Sequence, residues 1–586
     1  MTFPSSPEVP LRLRTRFPAV GPGGERDNFF IGAWHPGRSL SVDWIGFEGP
    51  VTRIDGRNWV LASATEPGRG LGLVHEDGLG GTAFRGYVLP DVHSYSPAEN
   101  ICRSWLDTTV TRNGVYSAAV IARDGASLVL ATDLLGMGTI YWRRLGEVIL
   151  FATNPRYLAC ADDKPDRLAW RCLVQTSWIG SDRSLTAGVQ RLPAGCTLTF
   201  RGREEPVLSP PGWASLPEGR QDAESGTLQE VERAFQQAMD RCLKVRSGKV
   251  MLPLSSGFDS RRVLAALLHR KVDFKAVTYR ALQQGHRDLD ARFASQMAQD
   301  FGFSHLVVDA ADAEYVRDDV ARRTLVDAET REHTWSMRVH SALSGGCDVF
   351  LDGIAGDILG DPVGWLKLTG LAIDERDPDS EIENIARHAI RSDFDSVLAP
   401  RAWPSAEDLR ADLHAYLRGL RQRANLGELA FLLLRQRRAI ALWSQQLPPP
   451  GVVPLYPYLD ADYLRATLAL SSEAKHQINL QRSCLREFWP EFYRYSGNRD
   501  IPADMPSGSP ARDYRRTERC LELLREEIGA AGAMPQLFDL LTAKGKVMLA
   551  ASRVVPSLAV RWAWVLLPLM ELVSRESRRV PAWELA

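Results

Sequence analysis

The feature that most constrains this chain is a break in an apolar run. Lys249-Val250-Met251-Leu252-Pro253-Leu254 stops at Ser255-Ser256-Gly257-Phe258-Asp259-Ser260 and gives way at once to RRVLAALLHR. The run has the length and residues of a strand, and the segment after the break has apolar residues at helical spacing. A strand feeding a helix through a tight loop is the unit of a parallel α/β sheet. The unit recurs downstream: DFKAVTYR reads as a strand, LDARFASQMAQDFG as a helix and HLVVDA as a further strand. GTLQEVERAFQQAMDRCLKV, just upstream, is a helix by its periodicity, and beyond Trp365 the pattern is mostly helical.

The loop itself joins small hydroxyl residues and a glycine to a helix N-terminus. That arrangement offers backbone N–H groups and the positive end of a helix dipole to an anion, and phosphate suits it. Ser255 or Ser256 serves equally well as an ordinary N-cap, with Asp259 favouring the dipole. No GxxxxGK[ST] sequence occurs, so a Walker-type loop is excluded.

The N-terminal third has a different texture. VYSAAVIARDG, SLVLATDLLGMGTIYWRRLG and EVILFATN alternate apolar and polar residues and are punctuated by Asp-Gly and Gly, as antiparallel strands and hairpins are. PVLSPPGWASLPEGRQDAESG, rich in Pro, Gly and Ser, reads as a linker over 206–226. At 586 residues and 45% hydrophobic, the chain has apolar material for several cores. Its 71 basic and 72 acidic residues leave a net charge of -1, which argues against nucleic acid as a partner. Eight scattered cysteines without CxxC pairs argue against zinc or a disulfide framework. No secretory signal or clean membrane span is legible, so the expected location is the cytoplasm.

Ser255-Ser256-Gly257-Phe258-Asp259-Ser260 resembles the SGGxDS pyrophosphate loop of the asparagine synthetase-like ATP pyrophosphatases, with Ser256 in place of the first glycine. Asp352-Gly353-Ile354-Ala355-Gly356-Asp357 resembles that family's second acidic loop, and Leu455-Tyr456-Pro457-Tyr458-Leu459-Asp460 its R-x-P-F-L-D segment. ATDLLGMGTIYW, FATN and RLPAGCTL look like strands of its glutaminase domain, and all of these segments fall in the family's order.

The resemblance implies an α/β and α+β multidomain chain. Residues 1–205 would be a glutaminase-like β-sandwich layer domain of the N-terminal-nucleophile type. Residues 227–505 would be an α/β adenine nucleotide α-hydrolase-like synthetase domain, and 506–586 a helical extension. It implies ATP held by Leu254, Ser255, Ser256, Gly257, Asp259, Ser260, Thr278 and Gly353, with Mg²⁺ on Asp259 and Asp357. It further implies a cation that steadies the adenylation step, expected at Lys475, with Arg499 as a second candidate.

Two departures shape the functional expectation. Glutamine-dependent members of the family begin with a cysteine nucleophile, whereas here Met1 is followed by Thr2, which implies an inactive glutaminase. Aligned on Asp357, the place of the family's general-base Glu falls on Ile354, which takes no proton. Both losses point to branches in which the amine belongs to the substrate: β-lactam synthetases and the macrolactam synthetases that close lasso peptides. The expected reaction is therefore ATP-dependent, AMP-forming ligation of a carboxylate, with a ribosomal peptide as substrate and a leader-peptide protease or recognition protein as partner. An amidotransferase using ammonia or glutamine on a small acid or sugar, and a non-catalytic ATP-binding scaffold, are the alternatives.

Arg435, Arg437 and Arg438 read as a solvated basic helix face in preference to a carboxylate or phosphate clamp. His333, Thr334 and Trp335 are candidates for an acceptor pocket outside the catalytic set, and His305 is assigned no role. The apolar segment near the C-terminus is expected to pack against the synthetase domain.

Overall fold

The computed structural model describes residues 10–16, 29–45, 52–63, 73–77, 80–89, 112–245, 247–280, 289–309, 311–343, 346–362, 382–386, 395–421, 423–446, 448, 452–495, 510–552, 555–577 and 581–585. Among them the chain builds a mixed α/β, multidomain architecture with four sheets.

Two six-stranded antiparallel sheets make the N-terminal part. One runs in the order Gln190–Arg191, Tyr141–Leu145, Val148–Ala152, Phe30–Trp34, Trp59–Ser63, Thr52–Asp55. The other runs Val207–Leu208, Thr197–Arg201, Ser127–Thr132, Gly114–Ala122, Gly80–Val88, Leu73–Asp77. Phe30, Trp34, Leu61 and Phe151 from the first meet Ala119, Ile121, Leu130 and Phe200 from the second in one buried core, so the sheets pack face to face. The first sheet is covered on its other face as well, which is why Phe30–Trp34 and Val148–Ala152 are buried at every residue instead of alternating. That cover includes Leu13 and Trp583 of a small sheet, in which Leu11–Arg16 lies between Leu40–Ile45 and Trp583–Leu585.

The segment expected as a linker is ordered. It contains the strand Val207–Leu208 and the short helix Gly212–Ser215, and Arg423 donates to the carbonyls of Ala214 and Leu216.

The fourth sheet is parallel throughout, in the order Ser304–Val308, Phe274–Tyr279, Val250–Pro253, Val349–Leu351, Val453–Leu455. Its first strand feeds the helix Phe258–His269, whose Val263, Leu264 and Leu267 are fully buried. Leu289–Phe301 and Asp312–Leu325 are further helices of this half.

The C-terminal extension carries the helices Pro510–Ala530, Met534–Asp539, Ala543–Ala551 and Pro556–Ser577. It does not end as a helix. Trp583–Leu585 pairs antiparallel with Leu11–Arg16, and the Trp583 indole donates to the Tyr157 carbonyl at 2.8 Å. Leu566, Leu569, Met570 and Val573 share a core with Leu521 and Leu524, with Trp170 and Leu173 of the helix Arg167–Thr176, and with Val316. The apolar C-terminal helix therefore packs on both halves of the molecule. No helix among the described residues is long and apolar enough to cross a membrane.

Candidate active site

In the parallel sheet the chain leaves Val250–Pro253 to one side to add two strands, then crosses to the other side for Val349–Leu351. Where the order of an open sheet reverses, the two loops at the carboxyl ends of neighbouring strands part and leave a crevice. Here the parting loops are 254–260 and 352–357, and a cavity of about 440 Å³ lies between them, within the usual range for a ligand pocket.

The first loop is knitted together by its hydroxyls. Ser255 N–H donates to Ser260 Oγ at 3.1 Å, and Gly257 N–H donates to Ser255 Oγ at 3.1 Å. Ser256 stands where the resemblance has glycine, yet it does not obstruct the hollow. Its side chain is 1% exposed and turns back, so that its N–H and Oγ both donate to Asp290 Oδ1 at 2.7 Å. Tyr458, from the segment resembling R-x-P-F-L-D, donates its hydroxyl to the Asp259 carbonyl at 3.0 Å. Asp460 of that segment is buried against Arg241 at 2.6 Å and caps the helix Ala461–Ala469. The segment thus supports the loop from behind.

The second loop turns through Ala355, held left-handed at φ +72°, which brings Gly356 against Asp259. Burial raises the Asp259 carboxyl well above the usual carboxylate range, and the Asp357 charge raises it further. The charges of Arg262 and Arg261 pull it back only in part, and their hydrogen bonds go elsewhere. Arg261 donates to the carbonyls of Gly257, Phe492 and Tyr495, and Arg262 to Glu232 and Gln481. Two part-buried carboxylates that repel each other beside a helix N-terminus fit a hard divalent cation whose remaining ligands are phosphate oxygens and water. Among the described residues no cluster of three or more His, Cys, Asp or Glu side chains is arranged to hold a metal by itself.

Of the residues expected around ATP, Leu254, Ser255, Asp259, Ser260, Thr278 and Gly353 line the cavity together with Asp357. Ser256 and Gly257 shape the loop from behind its surface. The Thr278 hydroxyl is already engaged, donating to the Leu254 carbonyl at 2.7 Å and lying 2.8 Å from His305 Nε2, so His305 acts as a rear support.

Lys475 is outside the cavity wall: it is fully buried, and its ammonium is ion-paired with Glu428, which also accepts from Ser472 Oγ at 2.5 Å. Its position on a helix that reads as polar gave no sign of a partner 47 residues away. Arg499 lies outside the described residues, as do Met1 and Thr2. Of the three acceptor-pocket candidates Trp335 lines the cavity, whereas Thr334 accepts from Arg322 and His333 accepts from the Trp335 indole.

The three arginines are neither a solvated face nor a ligand clamp. They lie on a π-helix, Leu432–Ile440. Arg437 donates to Gly136 O and Leu192 O and pairs with Asp182 at 2.5 Å, while Arg438 donates to Arg183 O, all in the N-terminal part. Arg435 pairs with Glu332 at 2.8 Å. These anchors turn Gln436 and Ile440 of the same helix into the cavity wall. Wide turns of this kind are frequent at functional sites. The Gln436 carboxamide is 2% exposed and makes no hydrogen bond to a described residue.

Sequence reasoning missed Asp290, Asp352 and Gln436. All three line the cavity; Asp290 and Gln436 sit in no motif, whereas Asp352 opens the second acidic loop, in which only Gly353 and Asp357 carried an expected role.

Fold and site together define an α/β domain with paired carboxylates at the reversal point of a parallel sheet. Residues 230–426 match the asparagine synthase family model. No curated protein matches the chain. Among solved structures it is similar to the U34-tRNA thiolase NcsA from Methanococcus maripaludis with its [4Fe-4S] cluster, at 15% identity over 37% of this chain and 76% of that one, with a TM-score of 0.18. It is also similar to the allosteric regulatory enzyme of purine biosynthesis, at 10% identity over 49% and 75%, TM-score 0.18. A third is the glutamine phosphoribosylpyrophosphate amidotransferase from B. subtilis complexed with ADP and GMP, at 9% identity over 46% and 80%, TM-score 0.17. Superpositions this loose carry no weight for fold or function.

Proposed function

We propose that the chain adenylates a carboxylate with ATP, releasing pyrophosphate, and joins the acyl group to an amine, releasing AMP. The observation that carries this reading is the part-buried pair Asp259 and Asp357, which face one cavity from two loops beside the N-terminus of Phe258–His269. Asp259 and Asp357 would hold Mg²⁺, which when bound neutralises charge on the departing pyrophosphate. The N–H groups of Ser255, Ser256 and Gly257 are engaged within the protein, so the phosphates would be oriented by the first N–H groups of the helix Phe258–His269. The N-terminal sandwich fits a glutaminase-type layer domain, and its role here is to anchor the π-helix through Gly136, Asp182, Arg183 and Leu192.

For the substrate we favour a peptide closed on its own amine, as in lasso-peptide macrolactam synthetases. Two features support this. Ile354 replaces the base that serves ammonia. The wall beyond the loops is apolar, with Trp335, Val339 and Ile440 around the Gln436 carboxamide and no Lys or Arg among its described residues. Among the described residues a small doubly charged acid such as aspartate meets no cation there for its second carboxylate, whereas a carboxamide both donates to and accepts from a peptide group.

The test is product analysis with ATP and Mg²⁺. One arm contains aspartate and ammonium, the other linear peptides encoded near the gene. AMP together with loss of one water from a peptide is the expected result. Asparagine in the first arm would return the small-acid reading, and ATP binding without AMP in either arm would leave a scaffold.

A further inference from the structure

The substitution at Ile354 leaves the proposed ligase without an obvious group to take the proton from its attacking amine. The cavity supplies one two residues away. We propose that the Asp352 carboxylate is the general base of amide formation in this chain, an inference that rests on the ligase reading above.

Asp352 follows the strand Val349–Leu351 directly, and its backbone N–H donates to Leu455 O at 2.9 Å, which ties its position to the neighbouring strand. Its carboxylate accepts the N–H groups of Gly353 and Ile354, so its orientation is set by the same loop that carries Asp357. It lines the cavity beside Ile354, whose own apolar side chain is 8% exposed. It is not a third member of the metal pair, since no described trio of acidic, His or Cys groups is placed to share an ion. Asp352 therefore has cavity access, a fixed direction and no role in the metal pair. Burial pushes its carboxyl up to about 7 despite the two backbone donors, near the range in which a base both is ionised and accepts a proton readily.

The step balances without a further reactant. The amine nitrogen forms the C–N bond to the acyl carbon, the bond from that carbon to the AMP oxygen breaks with its electron pair, and AMP leaves. The surplus proton on nitrogen passes to Asp352 and then to water.

The test is Asp352→Asn in the full chain. Acids supplied are aspartate and short linear peptides bearing an Asp or Glu side chain and a free N-terminus, and acceptors are ammonium, the peptide's own amine and hydroxylamine. Pyrophosphate exchange reads adenylation alone. Hydroxylamine, largely unprotonated at neutral pH, reads capture without a base. The variant is expected to keep exchange and hydroxamate formation within about twofold while losing amide formation about a hundredfold. Ile354→Glu added to Asp352→Asn is expected to restore part of the lost amide formation. Parallel loss of exchange and hydroxamate, or amide formation close to wild type, would overturn the assignment. Wild-type protein that exchanges pyrophosphate with no acid would instead remove the ligase reading, and the base with it.

Discussion

Gly356 leaves just enough room for Asp259. A β-carbon at Gly356 would stand 2.7 Å from the Asp259 Cγ and 2.7 Å from its Oδ1, closer than carbon and oxygen atoms approach without displacement. The backbone at this glycine is not left-handed, so the requirement is one of space and not of dihedral freedom. Gly356→Ala is therefore expected to push the Asp259 carboxylate away from Asp357. Mg²⁺-dependent ATP binding should weaken by about tenfold or more, equivalent to about 1.4 kcal/mol. Thermal stability should change little, because Asp259 relaxes towards the cavity. Calorimetric titration with MgATP checks this, and unchanged affinity would sink the metal assignment.

Asp290 holds the phosphate loop by one oxygen that accepts both the N–H and the hydroxyl of Ser256 at 2.7 Å. Hydrogen bonds to a charged acceptor contribute about 1.5 to 3 kcal/mol each. Asp290→Ala should free the loop and weaken ATP binding by about tenfold, with a matching loss in pyrophosphate exchange. Hydrogen exchange at residues 255–257 should rise in the same variant. Faster exchange without weaker binding would show that the tie is only structural.

The strand, loop and helix around Ser255–Ser260 are legible in the sequence because their signals are local: an apolar run, a glycine and hydroxyl cluster, and a helical period. The relationships that complete the site are not local. Asp290 meets Ser256 across 34 residues, and Glu428 meets Lys475 across 47. A helix carrying Arg435, Arg437 and Arg438 looks like a solvated face until a π-turn and an adjoining domain bury two of the three. The pairing of Leu11–Arg16 with Trp583–Leu585 joins the two ends of the chain, and no window of sequence contains both.

Asp352 makes a signed pH prediction. Its folded carboxyl titrates at about 7, above the unfolded value near ~4, so between those values the folded state holds a proton that the unfolded state has released. That contribution to stability is complete below about pH 4 and is lost as pH rises through about 7. Asp352 is only part-buried beside the cavity, so solvent screening leaves a difference on the order of 1 to 2 kcal/mol. Asp352→Asn should melt higher than wild type at pH 8 and nearly the same at pH 4.5. A constant offset across that range would mean that the carboxyl is not perturbed.

Gln436 tests the substrate class. Gln436→Leu keeps the size of the side chain and removes its only polar group. A carboxamide that reads a peptide group should leave a rise of about tenfold in KM for the peptide when it is removed, with MgATP affinity unchanged. An equal rise for ATP would place the nucleotide, and not the acyl substrate, against Gln436.

Lys475 separates a structural from a catalytic charge. Its ammonium and the Glu428 carboxylate are both fully buried, and removing one partner strands the other in a medium that solvates it poorly. Lys475→Met should therefore destabilise the protein by about 3 to 5 kcal/mol, whereas Lys475→Met with Glu428→Leu should recover most of that loss. Chemical denaturation of the single and double variants measures both quantities. If the pair is structural, the double variant exchanges pyrophosphate at close to the wild-type rate per folded molecule. A rate that stays more than about a hundredfold down while stability is regained would instead show that the lysine leaves Glu428 during turnover and steadies the adenylation step, the work that fixed cations do in a water-poor site.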